Sequence, residues 1–489
     1  MVTTTIDLSG LGKIHEHAAM IDILPDDVLL DILFYTSAAC IQWVILVHVC
    51  QRWRQLVFSS PHRLQIQLLC TPGTPAKTHL SCWPVLPIIL DYYDTLTRSD
   101  EDHVIAALEH SSRVCKLFLT VKNSQVEKLV KVMQEPYPAL EYLSLSFNSR
   151  STAPVLPGRF LGGSVPRLRA LDFYAVPFPA LPALLASASD LAELRLYNIP
   201  KSGYISPEAM VAALASLTHL RVLHIGFKSQ NSHPDQNSLP PVTRTALPAL
   251  FNFEFQGASD YLEDLVARID CPQLRWIKIS YLHRHINFRT VQLLEFIDRS
   301  ENDWVHQFRL YILFDSMGDI RFEATHIRDV ISTSVTFQGT NWVVSHLIQM
   351  FRQFSAKLSQ VRHLFIDYEG PGAGMSQNEW EQVFRPFTAV QTLHVIRGQS
   401  YHDPPVEDVP ADMATGADPE MLPALSLLFL ETHPRYKIFS AFFENFVATR
   451  QRSSCPVTFV TCQREFEEKF RSYLAEDDEG SFQLEKIYL

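Results

Sequence analysis

The chain lacks an excess of positive charge. Its 489 residues include 42 Lys and Arg against 53 Asp and Glu, which gives a formal net charge of −11. A protein that binds nucleic acid without sequence preference needs basic side chains to displace the counterions of the phosphate backbone. The charge balance therefore argues against nucleic acid as a partner.

The chain also lacks paired cysteines and long apolar runs. None of its eight cysteines belongs to a C-x-x-C pair, and most lie within apolar segments, as buried free thiols do. No apolar run approaches the ~18 residues that span a bilayer. The first residues have neither the basic start nor the apolar stretch of a signal peptide. We expect a cytoplasmic or nuclear protein with no membrane partner.

Motifs for catalysis and metal binding are lacking as well. There is no H-E-x-x-H helix, G-x-S-x-G elbow, Walker lysine loop or EF-hand loop. Gly370, Gly372 and Gly374 follow a predicted strand, but Met375 takes the place of the third glycine of a dinucleotide-binding loop, so we interpret the segment as a turn. We expect no cofactor, no metal and no catalytic residue. An α/β enzyme with a site assembled from distant loops is the least favoured alternative.

Apolar residues are abundant, and residues 24–69 concentrate them at helical spacing. The chain is 47% hydrophobic and 19% charged, which is typical of a large folded core. One predicted helix follows Leu24-Pro25-Asp26, and a second amphipathic helix runs through Leu46, Val49, Cys50, Trp53, Leu56 and Val57. About 45 residues cannot bury this much apolar surface alone. We therefore expect the surplus face to dock on something.

The same segment resembles an F-box. The likeness is carried by Leu24-Pro25, Val28-Leu29 and Ile32, and then by Val49-Cys50-Gln51-Arg52-Trp53-Arg54. It implies docking on a Skp-type adaptor, and through it on a cullin-RING ligase, by Leu24, Pro25, Val28, Leu29, Ile32, Val49, Cys50, Trp53 and Val57. A looser likeness extends towards the F-box families of fungi. The alternative is an F-box-like segment that packs on its own chain.

A degenerate repeat occupies the remaining chain. An apolar-x-x-apolar-x-apolar phrase occurs eleven times between Val114 and Leu430, and its first positions recur every 23 to 35 residues apart from one interval of 56. The long interval predicts a degenerate unit near residues 330–337. This period and phrase are typical of leucine-rich repeats, in which each unit contributes one short strand and stacked units share a core. A set of unrelated βα units in an ordinary α/β domain is the alternative.

The predicted fold is therefore α/β: a small all-α F-box-like helical module followed by an irregular leucine-rich-repeat solenoid, or horseshoe. The predicted boundaries are a flexible N-terminus at 1–20, the helical module at 21–65, a connector or solenoid cap at 66–113, the solenoid at 114–464 and a C-terminal cap or acidic tail at 465–489. Ser206, Ser259 and Ser376 are predicted helix caps. Residues 229–245, 369–377 and 399–420 are predicted loops.

Strand geometry gives the substrate surface a predicted location. Side chains alternate across a strand, so the residue between the last two apolar positions of each repeated phrase points to the concave side. If consecutive strands are neighbours, Lys278 and Arg309 reinforce each other beside Trp276 and Tyr311, and Arg195, Tyr197 and His224 form a second cluster. We expect this face to accept an acidic or phosphorylated segment of a protein substrate, with an unused solvated face as the alternative.

These features favour a non-catalytic substrate receptor of a ubiquitin ligase. The F-box resemblance implies that associated enzymes transfer the ubiquitin, and the repeats would select a protein whose identity the sequence does not specify. Two alternatives stay open: a leucine-rich-repeat interaction scaffold whose F-box-like segment packs on itself, and the α/β enzyme.

Overall fold

The computed structural model divides the chain into two compact units. It describes residues 24–36, 42–61, 63–64, 66–93, 97–148, 154–229, 243–282, 291–299, 308–314, 320–326, 332–338, 344–368, 377–396, 421–431, 446–452 and 457–462. The units are Met1–Leu196 and Tyr197–Leu489. The division therefore falls inside the predicted repeats and not at the predicted ends of the helical module or the connector.

The described part of the first unit begins with three helices: α1 (Asp26–Thr36), α2 (Gln42–Val49) and α3 (Gln51–Ser59). The prediction of one continuous helix through Val49 and Trp53 was wrong. Cys50 has an extended backbone, with φ −155° and ψ 171°, and its Sγ accepts a hydrogen bond from the Trp53 N–H at 3.4 Å. It thus caps α3 and ends α2, because an N-cap residue lies outside the helical region.

The strands of the first unit follow one another in sequence order. They are β1 (Leu68–Cys70), β2 (Ile88–Tyr92), β3 (Val114–Lys122), β4 (Tyr142–Asn148), β5 (Ala170–Tyr174) and β6 (Glu193–Ile199), which crosses the division. Each strand from β1 to β5 pairs in parallel with the next. The chain between them forms α4 (Ala76–Cys82), α5 (Arg98–Leu108), α6 (Asn123–Val132) and α7 (Leu181–Leu185). Strands β1 and β2 lie in the predicted connector, so the sheet begins before residue 114.

The second unit continues the same plan with one interruption. Its strands are β7 (Val222–Phe227), β8 (Thr245–Ala246), β9 (Asn252–Gly257), β10 (Ile269–Asp270), β11 (Trp276–Leu282), β12 (Phe308–Phe314), β13 (Ile320–His326), β14 (Ser332–Gln338), β15 (His363–Tyr368), β16 (Thr392–Ile396), β17 (Leu427–Glu431) and β18 (Thr458–Cys462). Its helices are α8 (Pro207–Leu214), α9 (Ser259–Ala267), α10 (Val291–Arg299), α11 (Val344–Gln353), α12 (Ser355–Leu358) and α13 (Gln377–Phe384). All eleven repeated phrases coincide with a strand, which confirms that part of the prediction.

The interruption reorders the strands. In space the order is β7-β9-β11-β14-β13-β12-β15-β16-β17-β18, with β8 and β10 as a separate pair. Strand β13 is antiparallel to both of its neighbours, whereas β14 is parallel to β11 and β12 is parallel to β15. Antiparallel neighbours need only a short connection. The predicted degenerate unit near residues 330–337 is thus a strand, β14, but it lies beside β11 and not beside β15.

Burial follows the predicted alternation. Leu223 and Ile225 on β7 are fully buried, as are Leu171 on β5 and Leu194 on β6. Arg221, immediately before β7, is exposed. The second and third apolar positions of the repeated phrase therefore form the core between the sheet and the returning segments, which is how stacked repeats share a hydrophobic interior.

The helix caps test the local predictions. Ser206 caps α8 by accepting a hydrogen bond from the Ala209 N–H at 3.3 Å, which confirms that cap. Ser259 is the first residue of α9, whose N-cap is Ala258 without a side-chain hydrogen bond, so that prediction was wrong. Ser376, Gly370 to Gly374 and most of the three predicted loops lie outside the described residues.

Candidate binding surfaces on the N-terminal helices and the sheet

Exposed apolar side chains lie on two of the N-terminal helices. Val28, Ile32 and Tyr35 share one side of α1, and Ile45 and Val49 share one side of α2, because residues four or seven positions apart lie above one another. Each of these side chains is between 41% and 82% exposed. We call these five residues the helical apolar face. The helical apolar face includes three of the predicted adaptor contacts, namely Val28, Ile32 and Val49.

The other predicted adaptor residues are placed differently. Leu29 and Val57 are buried in the interior of the helical segment and reach no surface. Pro25 and Cys50 are exposed, and Leu24 and Trp53 are half-buried. Leu29 and Val57 can therefore support a docking surface from inside but cannot form it.

Arg52 holds the start of the helical segment. Its guanidinium donates to the Leu24 carbonyl at 2.5 Å and pairs with the Asp26 carboxylate at 2.6 Å. The Leu24-Pro25 opening is thus tied to α3, 28 residues later in the chain. A charge-assisted contact of this kind is short and directional, so it fixes how the chain enters α1.

The opposite side of the helices packs on the chain that follows. Trp43 on α2 is buried, and its indole N–H donates to the Gln67 carbonyl at 2.9 Å. Its ring lies 5.2 Å from Trp83 and 6.1 Å from Phe58, both edge-on. The helical segment thus uses one aromatic side to join the first unit, while the helical apolar face stays uncovered.

On the sheet of the second unit, polar side chains converge around Glu254. The register places His224 on β7 and Lys278 on β11 on either side of Glu254 on β9. His224 Nδ1 lies 3.0 Å from a Glu254 carboxylate oxygen, and Lys278 Nζ lies 3.9 Å from the same oxygen. The Tyr197 ring lies 4.0 Å from the imidazole of His224. The structure therefore brings three of the predicted substrate-binding residues together.

A cavity of about 200 Å³ opens beside this cluster. We call it the polar pocket, and it is lined by His224, Glu254, Gln256, Lys278, Ser280 and Thr336. Gly226 is opposite Gln256 in the register and contributes no side chain there. Ser280 and Thr336 are buried. The sequence offered one signal for this pocket, namely polar residues at alternate positions of two strands that otherwise carry apolar ones.

His224 has an unused ring nitrogen in this pocket. A carboxylate can only accept, so Nδ1–H donates to Glu254 and the neutral imidazole carries its lone pair on Nε2. His224 is 7% exposed, and within the described residues Nε2 has no hydrogen-bond partner. A buried polar atom without a partner is costly.

The predicted pairing of Lys278 with Arg309 was wrong. Strands β14 and β13 lie between β11 and β12, so the two side chains are three strand spacings apart, roughly 14 Å. Arg309 is opposite His363 on β15. Trp276 shares β11 with Lys278 and is partly exposed. On β6, Arg195 belongs to the first unit and pairs there with Glu193.

A row of stacked rings crosses four strands further along the sheet. Tyr311, Phe365, His394 and Phe429 stack in succession at centroid distances of 4.5, 4.4 and 4.4 Å, with ring planes within 16° of parallel. Tyr311 joins the row because β12 is displaced by two residues from the predicted frame: Tyr311, and not Arg309, is opposite Phe365. Aromatic residues at the middle positions of consecutive repeats were the signal for this row.

The stacked row makes His394 a neutral side chain. Burial lowers the pKa of His394 to about 3, and the charges of His363 and Arg309 act in the same direction. Burial, Arg309 and Arg362 also lower the pKa of His363, whose Nδ1 lies 2.7 Å from the Thr392 hydroxyl. Arg309 thus lies opposite His363, where its positive charge lowers the pKa of both histidines, and does not lie beside Lys278.

The described part of the chain holds neither a candidate metal site nor a membrane-spanning helix. Among those residues, no three or more His, Cys, Asp and Glu side chains are grouped so as to hold a metal ion. Within the same residues, no helix has both the length and the apolar character to cross a membrane.

Comparison with known proteins finds likeness to solved structures alone. No protein-family model matches the chain, and no curated protein matches it. The chain is similar to the crystal structure of the leucine-rich repeat-containing protein LegL7 from Legionella pneumophila, with 13% identity and a TM-score of 0.28 over 80% of this chain and 99% of that one. A likeness at this TM-score carries no argument about function. The strand pairings themselves define the class: a mixed α/β protein with a parallel sheet of many strands, resembling a leucine-rich-repeat protein.

Proposed function

We propose that the chain is a non-catalytic substrate receptor of a Skp-cullin-F-box ubiquitin ligase. The helical apolar face docks on a Skp-type adaptor, and the sheet face of the repeats holds the protein to be modified. Ubiquitin transfer belongs to the associated enzymes. This assignment joins the F-box resemblance of residues 24–57 to a repeat sheet, an architecture suited to protein binding.

The observation that carries the proposal is the exposure of the helical apolar face after the segment has packed. Trp43 and its ring partners already attach the helices to the following chain. That packing leaves Val28, Ile32 and Val49 in contact with solvent. Clustered exposed apolar side chains mark interaction sites, and a few central anchors dominate the energy of such an interface.

The alternative is an interaction scaffold that needs no adaptor. The buried Trp43 and its hydrogen bond to Gln67 support it, because they attach the helical segment to the chain just before β1. The two functions differ in one respect: a scaffold does not bind a Skp-type adaptor through the helical apolar face.

Adaptor binding distinguishes these functions. We expect the full chain to co-purify with a Skp-type adaptor, and Val28→Glu with Ile32→Glu to abolish the complex, since two charges would be desolvated at its centre. Both positions are exposed, so circular dichroism and the melting temperature should be unchanged.

Val85→Glu and Val155→Glu, at exposed apolar positions outside the helices, are the matched controls and should bind normally. Adaptor binding by the double variant would remove the F-box assignment, and no binding by the natural chain would favour the scaffold.

A further inference from the structure

Two exposed arginines lie where strands of the second unit begin. Arg221 immediately precedes β7, Phe251 precedes β9 and Arg275 precedes β11. The Phe251 N–H donates to the Arg221 carbonyl at 3.0 Å, and the Arg275 N–H donates to the Phe251 carbonyl at 2.9 Å. The three residues therefore occupy equivalent positions in neighbouring repeats and form a row across the strand starts. We call this row, together with Trp276, the arginine edge.

Exposed aromatic rings accompany the two arginines. Phe251, between them in the row, is 38% exposed, and Trp276, the first residue of β11, is 39% exposed. The Trp276 N–H also donates to the Phe251 carbonyl at 2.9 Å, so the backbone fixes the positions of both residues. Aromatic and arginine side chains are the types enriched in protein interfaces and among their energetic anchors. The arginine edge thus has the composition of a protein-binding surface.

The arginine edge carries charge of one sign. Both guanidinium groups are exposed, and among the described residues neither forms an ion pair or a side-chain hydrogen bond. Glu254, further along β9, already pairs with Lys278. No Asp or Glu occurs in the three segments that carry the edge, which are residues 215–221, 247–252 and 271–276. The edge is therefore a local positive surface, complementary to an anionic partner, in a chain whose formal net charge is −11.

The separation of the arginines selects the form of the anion. Strand β9 lies between β7 and β11, so Arg221 and Arg275 are two strand spacings apart, roughly 10 Å. In a polyproline II segment, side chains three residues apart lie on one side, separated by about 9 Å. Two carboxylates at that spacing match the two guanidinium groups, each of which can bind a carboxylate through two parallel hydrogen bonds. Prolines between the carboxylates would pack on the exposed rings, as proline-rich segments do on aromatic surfaces.

From this geometry we infer that the arginine edge binds an acidic, proline-containing segment of a protein in the polyproline II conformation, with two carboxylate side chains three positions apart. That the protein is the substrate of a ligase rests on the proposed function, whereas the preference for spaced carboxylates rests on the arginine edge alone. Nucleic acid is a poorer fit, because its affinity grows with the number of phosphates neutralised and two arginines neutralise few.

Three short peptides test the chemical preference. Fluorescence anisotropy with the full chain would compare Gly-Glu-Pro-Pro-Glu-Gly, Gly-Glu-Glu-Pro-Pro-Gly and Gly-Lys-Pro-Pro-Lys-Gly, each carrying the same neutral dye. We expect the peptide with spaced carboxylates to bind about threefold more tightly than the one with adjacent carboxylates, and about tenfold or more tightly than the lysine peptide. Equal or tighter binding by either comparison peptide, or by a single-stranded oligonucleotide, overturns the inference, as does no binding of the spaced peptide.

A pair of substitutions places the binding at the arginine edge. Arg221→Gln with Arg275→Gln should weaken binding of the spaced peptide about tenfold or more, because both charge-assisted contacts are lost. Both positions are exposed, so the melting temperature should be unchanged. The control, Arg159→Gln with Arg385→Gln, makes the same change in net charge at exposed positions elsewhere and should bind normally.

Binding that survives the first pair, or an equal loss in the two pairs, contradicts the assignment. The measurement involves no adaptor, so its result stays interpretable if the ligase proposal fails.

Discussion

His394 shows how a single residue can be made dependent on its neighbours in space. Its imidazole is stacked between Phe365 and Phe429, each at 4.4 Å, and it is almost fully buried. The stack is favourable only for a ring that stays neutral, because no water is left to solvate a charge. His394 therefore behaves as an aromatic core side chain, and its protonation at low pH would destabilise the folded state.

The unfavourable protonation of buried His394 predicts a pH dependence of stability. The pKa of His394 is about 3 in the folded protein against 6.5 unperturbed, so between these values the unfolded state binds more protons. Stability is then lost as pH falls below about 6.5, by about 2 kcal/mol at pH ~5. His394→Phe should remove this loss while keeping the stack. Denaturant titrations of both proteins at pH ~5 and ~8 would measure it, with His110→Phe at an exposed site as control. An equal fall in stability in both proteins would contradict the burial of His394.

At the scale of elements, Glu263 joins two successive helices. It lies on α9, and its carboxylate accepts hydrogen bonds from the Gln292 and Leu293 N–H groups at 2.8 and 3.1 Å. These are among the first N–H groups of α10, which have no partner within their own helix. A side chain from one repeat thus caps the helix of the next, and this contact complements the shared core.

The capping carboxylate predicts a pH dependence of opposite sign. Burial raises the pKa of Glu263 from 4.5 to about 7, with Asp260 and Glu295 adding to the rise against the two backbone hydrogen bonds. The folded state then binds more protons between these values, so stability falls as pH increases through about 4.5 to 7. Glu263→Gln should abolish this term, and its stability should increase more steeply with pH than that of the natural protein. Glu127→Gln, exposed on α6, is the control for denaturant titrations across this range. A slope unchanged by Glu263→Gln would show that Glu263 ionises normally.

At the scale of the whole molecule, the repeats of the second unit depend on one another for burial. A strand and its returning segment leave an apolar face open until the next repeat covers it. The antiparallel strand β13 changes the order of strands but does not interrupt the sheet, because β12 and β14 keep parallel partners on their outer sides. The sheet is therefore continuous through the interruption.

Because the repeats share one core, a single charge placed in that core should lower the stability strongly. Leu223 is fully buried, so Leu223→Asp should cost more than about 4 kcal/mol and lower the melting temperature by roughly 10 °C or more. Arg221→Asp, two residues earlier and exposed, should change stability by no more than about 0.5 kcal/mol. Thermal unfolding followed by circular dichroism would compare them. Similar losses in the two variants would mean that the inward and outward positions have been interchanged.

The local sequence pattern was sufficient to predict the strands and the residues on them that face inward. Every repeated apolar phrase coincides with a strand, and Leu223 and Arg221 lie on the predicted sides. The Ser206 cap was also readable, since a cap depends on residues three positions apart. Cys50 shows the limit even at short range, because a thiol is not a usual cap and its role appears only in the backbone geometry.

The order of the strands in the sheet determines which side chains come together in the candidate site. The sequence by itself determined the period of the repeats, the alternation along each strand and the helical spacing of Val28 and Ile32, all of which arise within a few residues. Only the tertiary structure decided that β14 and β13 separate Lys278 from Arg309, and that Glu254 gathers His224 and Lys278 instead. The physical reason is that strand neighbours are selected by backbone pairing between segments distant in sequence, and a single antiparallel reversal changes the contacts between the strands around it without altering the pattern along any of them.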